Sequence, residues 1–159
     1  MSVLITAAAD SVAFRLARIL NTKDICFATN VDMPVLSEIR FVKISAANSP
    51  SFTHEILKIC LDHHIKEIYP LIHDEIVELS ASRHLFDEFD IKLVIPSILW
   101  IETKLNDLPF NSSNLFVLIN GKVVAGNVPA NGTLPDNEEN GVFQWELKND
   151  QLIFGSFIV

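Results

Sequence analysis

The densest group of reactive side chains is His73-Asp74-Glu75, an imidazole and two carboxylates in a row. It follows a short apolar run, Glu67–Leu71, that reads as a strand, and it opens an amphipathic segment. In open α/β sheets, polar groups just past the carboxyl ends of strands are where ligands gather. Thr6, Asp10, Ser11 and Asn30 follow two other apolar runs in the same way, which places them along the same edge. Thr6, Asp10, Ser11, Asn30, His73, Asp74 and Glu75 therefore make a candidate cleft for a small polar ligand, or for hydrolytic chemistry. The competing reading is simpler: Asp74 caps a helix and His73 is a surface residue.

Other groups point away from catalysis. Of the five histidines, His63 and His64 are adjacent, so on a helix they diverge by about 100° and chelate one ion poorly. His54 and His84 fall on different helices, and no metal site is expected. Cys26 and Cys60 sit among apolar residues and read as reduced core thiols. No nucleophile elbow occurs, and no cysteine lies in a turn beside a histidine. No catalytic residue and no cofactor is assigned.

The opening stretch, VLITAAADSVAFRLA, has the strand–turn–helix outline of a nucleotide-binding unit without its glycines. Glycines let the backbone approach a pyrophosphate and aim helix amides at it. Here Ala7, Ala8 and Ala9 put Cβ atoms in that space. Asp10, as a helix cap, sets a carboxylate at the positive end of the helix dipole, where a phosphate would meet like charge. The stretch Thr29-Asn30-Val31-Asp32 holds no clear ribose-binding carboxylate at the end of the second strand. The lysine-containing phosphate loop is absent.

These residues need a scaffold, and residues 1–110 supply alternating strands and helices. Strands are expected at Val3–Ala7, Asp24–Thr29, Phe41–Ser45, Glu67–Leu71 and Lys92–Ile95. Helices are expected after Asp10 or Ser11, from Ser49-Pro50 to about His64, from Asp74 to about Leu85, and over Ile98–Leu105. After residue 110 the pattern turns to β structure. Leu115–Ile119, Asn120-Gly121 and Lys122–Ala125 spell a hairpin with a type I′ turn. Val142–Leu147 alternates, and a turn at Asn149-Asp150 leads into Gln151–Val159. The segment Gly126–Gly141 is long for a compact domain and reads as a functional flap or a mobile loop. Trp100 and Trp145 are expected to pack on the sheets.

The totals agree with a packed α/β chain. Of 159 residues, 49% are apolar and 20% charged, which excludes a disordered solvating segment. No run is long enough to span a bilayer, and no basic stretch precedes the first apolar run, so the cytoplasm is the expected location. The net charge of −8, with scattered basic residues, disfavours nucleic acid. It also means that any site for an anion has to be built locally.

The run EIYPLIHDEIVEL (Glu67–Leu79), then FDEFDIKLVIPS (Phe86–Ser97) and IETK (Ile101–Lys104), resembles the N-terminal domain that precedes the ATP-grasp fold in carbamoyl-phosphate synthase-like carboligases. The opening VLIT and its helix fit the same family, and the resemblance covers about residues 1–107. Where the family continues with Asp-Lys into its ATP-binding part, this chain has Asp107-Leu108 and then the β segment. The resemblance implies the architecture, and a domain that packs beside an ATP-binding part and forms one wall of its substrate cleft. It does not carry over ligase chemistry.

The expectation is a three-layer, Rossmann-like α/β domain (residues 1–110) with a mostly parallel five-stranded sheet. An antiparallel β-meander follows (residues 111–159). The expected role is a non-catalytic accessory subunit, its partner a separately encoded ATP-grasp ligase, or a homo-oligomer formed through the meander edge. Neither nucleic acid nor membrane is an expected partner. The alternative is a small-ligand-binding protein or hydrolase working at the sheet edge.

Overall fold

The computed structural model describes residues 1–104, 114–129, 134–135 and 138–156. The chain divides into two compact units, Met1–Leu93 and Val94–Ile158. The domain boundary expected near residue 110 lies outside the described residues. Helix Ile98–Lys104, expected with the first domain, groups instead with the antiparallel strands.

The first unit runs β1 (Ser2–Ile5), α1 (Ser11–Leu20), β2 (Asp24–Thr29), β3 (Arg40–Lys43), α2 (Phe52–Asp62), β4 (Ile65–Tyr69), α3 (His73–Ala81), α4 (Arg83–Asp87) and β5 (Lys92–Leu93). All its strand pairs are parallel, in the order β3-β2-β1-β4-β5. This is the Rossmann-like arrangement. The chain adds strands outward from β1 to β3, then returns to the other side of β1. The reversal makes a switch point between the carboxyl ends of β1 and β4, the position where open α/β sheets hold ligands.

Both faces of the sheet are packed. Phe14 of α1 stacks on Phe27 of β2 at 4.8 Å between ring centres and meets Phe41 of β3 edge-on at 6.5 Å. Cys26, the neighbour of Phe27, points to the opposite face by strand alternation. There its sulfur is close enough to Cys60 of α2 to influence it electrostatically. Both thiols are free and buried. Burial raises Cys26 to about 11 and Cys60 to about 12, so they serve as small hydrophobes.

Local sequence sets the elements, but β1, β3 and β4 lie one or two residues earlier than expected, β5 ends at Leu93, and the helices show three departures. The second helix begins at Phe52 instead of at Ser49-Pro50, because Ser49 is used in a turn that accepts the Phe52 amide, at 3.0 Å. The expected helix Asp74–Leu85 is broken at Ser82 into α3 and α4. Asp74 does not cap it: Ile72 occupies the cap position with no side-chain bond, and Asp74 lies in the first turn.

The second unit contains α5 (Ile98–Lys104) and strands β6 (Leu115–Ile119), β7 (Lys122–Gly126), β8 (Gly141–Lys148) and β9 (Gln151–Ser156). Asn120 and Gly121 take φ of 52° and 70°, as the type I′ turn requires, and Asn149 and Asp150 turn alike at 50° and 59°. The sheet is antiparallel with the order β7-β6-β8-β9. β8 therefore returns beside β6, where a sequential meander would set it beside β7. Phe116, Leu118 and Phe143 form the core, and Trp100 meets Phe143 edge-on at 5.2 Å.

The described parts of the 126–141 segment are tied down. The Glu139 carboxylate accepts from the Ser97 amide (2.8 Å) and hydroxyl, and its backbone carbonyl accepts from Gly121 (2.9 Å). Trp145 Nε1 donates to the Asn127 carbonyl at 2.7 Å.

Candidate functional site

The switch point is built by three elements. Past β1, the Thr6 amide donates to the Tyr69 carbonyl at 3.2 Å. The Leu71 amide, past β4, donates to Thr6 Oγ1 at 2.8 Å. The Thr6 hydroxyl is then left to donate to the carboxyl group of Glu75 in the first turn of α3. Thr6 is fully buried and Glu75 is 4% exposed. The crevice between β1 and β4 is thus closed by a backbone-to-hydroxyl bond and filled by a carboxyl group of the protein itself.

Glu75 is held incompletely. Its Oε2 is buried and has no hydrogen-bond partner. Burial pushes its pKa up to about 7, and the Thr6 hydrogen bond opposes that rise without cancelling it. A carboxyl group poised near neutrality can hold or release a proton in the physiological range.

The other expected cleft residues are placed differently. His73 Nδ1 lies 3.0 Å from Asp74 Oδ1 at the surface. Asp10 is exposed and caps α1, accepting from the Val12 amide at 2.9 Å. Ser11 and Asn30 are exposed. The seven residues thus join as Thr6 with Glu75 and His73 with Asp74. None of the seven lines the cleft around residues 31–43 or the one between Lys66 and Lys92.

The opening turn is occupied by its own backbone. The Ala8 amide donates to the Ala28 carbonyl (3.1 Å), the Asp10 amide to Ala7 (2.8 Å), and the Ala13 amide to Asp10 (3.3 Å). Ala7 takes a left-handed φ of 55°, a conformation glycine adopts without strain. Four of the amides around this turn, those of Ala8, Asp10, Val12 and Ala13, are here spent internally, and a carboxylate stands beside them.

A cleft of about 340 Å³ lies elsewhere, where residues 31–39 connect β2 to β3. Ten residues separate the two parallel strands without a helix, so the crossover segment leaves an apolar wall of Val31, Met33, Leu36, Ile39 and Phe41. Thr29, Asp32, Arg40 and Lys43 supply its polar groups. Sequence reasoning missed this cleft. The available signal was the missing helical period between the second and third strands.

Among the described residues no three His, Cys, Asp or Glu side chains gather as a metal site. No described helix is long and apolar enough to cross a membrane.

No protein-family model and no curated protein matches the chain. Several solved structures are similar to part of it, two dehydrogenases among them. One is the holo form of the GalE-like L-threonine dehydrogenase from Cupriavidus necator, at 12% identity and a TM-score of 0.46 over 61% of this chain. The other is a partial-consensus L-threonine 3-dehydrogenase, at 14% identity and a TM-score of 0.46 over 61% of this chain. The aligned regions span 37% and 36% of those proteins, so what they bind belongs to them.

Proposed function

We propose that this chain is a non-catalytic, Rossmann-like accessory protein that acts by binding a partner, without nucleotide chemistry of its own. The opening turn carries this reading: Ala8, Asp10, Val12 and Ala13 all spend their amides inside the chain. Asp10 adds a negative charge at the helix mouth, where a phosphate would be repelled. The resemblance of residues 1–107 to pre-ATP-grasp domains favours a separately encoded ATP-grasp ligase as the partner. Self-association through the open strand edges β7 and β9 is the competing form of assembly. The cytoplasm is the matching location.

Purification of the tagged chain from its native cell tests this, read by mass spectrometry and light scattering. A stoichiometric complex with an ATP-dependent ligase lacking its own pre-ATP-grasp domain is expected. A lone monomer would refute the reading. Calorimetry with ATP and magnesium is expected to show no binding, and micromolar affinity would overturn the interpretation of the opening turn.

One observation favours a second reading, a small polar ligand bound at the switch point. The orphan Oε2 of Glu75 is a buried polar atom that most folds would satisfy. A ligand there would need α3 to move aside, so hydrogen exchange in α3 that slows on addition of a small-metabolite mixture would support it.

A further inference from the structure

We propose that the cleft between residues 31–39 and β3 binds a free apolar α-amino acid. The inference does not depend on the accessory-subunit reading. Two features of the cleft meet the two halves of such a molecule.

The first is the apolar wall. Val31, Met33, Leu36, Ile39 and Phe41 line a space of about 340 Å³, within the range of small-molecule sites. Val35 at the rim is fully exposed, and Val31 and Leu36 are nearly half exposed. An apolar side chain laid against this wall would cover surface that the missing crossover helix leaves open.

The second is an ion pair at the mouth. Lys43 Nζ lies 2.5 Å from Asp32 Oδ1, and both line the cleft. The two side chains are 62% and 89% exposed, so their mutual attraction is weak and each retains free hydrogen-bonding positions. Arg40, the other lining cation, is paired with Asp24, so a lone anion approaching Lys43 would meet Asp32, and a lone cation approaching Asp32 would meet Lys43. A zwitterion avoids both conflicts, because its carboxylate faces the ammonium while its own ammonium faces the carboxylate. Thr29, one strand over and paired in register with Lys43, adds a hydroxyl on the same side. In a chain of net charge −8, this is the local construction that binding a carboxylate requires.

The test is a titration of the full ¹⁵N-labelled chain with L-leucine and L-phenylalanine, followed by amide shifts. Saturable shifts confined to residues 29–43 are expected at millimolar ligand. Lys43→Gln and Asp32→Asn should each weaken leucine about three- to fivefold, the size of one exposed charge contact. N-acetyl-leucine, lacking the ammonium, should be weakened by Lys43→Gln and strengthened by Asp32→Asn, and leucinamide the reverse. Leu36→Asp should abolish binding of all three. These substitutions fall on exposed positions, so folding is retained. The proposal is overturned if no shifts appear, if they fall outside residues 29–43, or if the three ligands bind equally in every charge variant. The last outcome would leave a cleft for any apolar guest.

Discussion

Replacing Glu75 by glutamine should make the protein more stable in mild base while leaving it nearly unchanged in acid. The carboxyl group is almost wholly removed from solvent, and burial raises its pKa from 4.5 to about 7. The folded state therefore holds this proton more tightly than the unfolded chain does. Stability contributed by the neutral form is fully present below the unfolded value of 4.5 and is lost as pH rises through about 7. At 1.36 kcal/mol for each pH unit of difference, the loss approaches about 3 kcal/mol, with partial relaxation of the site lowering it. Glutamine keeps an oxygen for the Thr6 hydroxyl and carries no charge. Its amide leaves one buried polar group unpaired, as the neutral acid also does, so the two should match within about 1 kcal/mol at low pH. Urea unfolding of both proteins from about pH 5 to about pH 8 measures the gap, which should widen by about 2 kcal/mol towards high pH. Hydrogen exchange at the Thr6 and Leu71 amides assigns the effect to the first unit. Parallel pH profiles would refute the reasoning, because they would mean that Glu75 ionises freely in the folded protein.

Asp10→Ala should cost about 1 kcal/mol by removing the cap bond to Val12, measured by chemical denaturation, and should not create affinity for ATP. Gly126→Ala should dismantle the antiparallel sheet. A Cβ there would stand 2.1 Å from the Leu115 carbonyl oxygen at a φ of +80°, and loss of the Trp100 and Trp145 fluorescence signature reports the result. Glu139→Ala strips the Ser97 amide and hydroxyl of a charged acceptor. It should destabilise the second unit by about 2 kcal/mol, with faster exchange at the Ser97 amide as the readout.

The first unit was legible because its signals are local. Apolar runs of strand length, a cap at Asp10 and amphipathic stripes such as Val12 and Leu16 are properties of neighbours along the chain. The Asn120-Gly121 turn was equally readable, since its backbone angles suit few residue pairs. The strand order of the second sheet was not. β8 pairs with β6 across a long connection, and nothing in either strand's sequence names its partner.

The candidate cleft divides along the same line. Sequence order alone places Thr6, Asp10, Ser11, Asn30, His73, Asp74 and Glu75 just after strands, and so near one edge of a parallel sheet. Which of them meet depends on a rotation of about 100° per helical residue. That rotation, together with a helix start one residue before Asp74, leaves Asp74 in solvent and turns Glu75 inward to Thr6. Sequence determined that carboxylates would stand at the switch point. Tertiary packing decided which one lost its water, because desolvation depends on every element that closes over a group and not on the residues beside it in the chain.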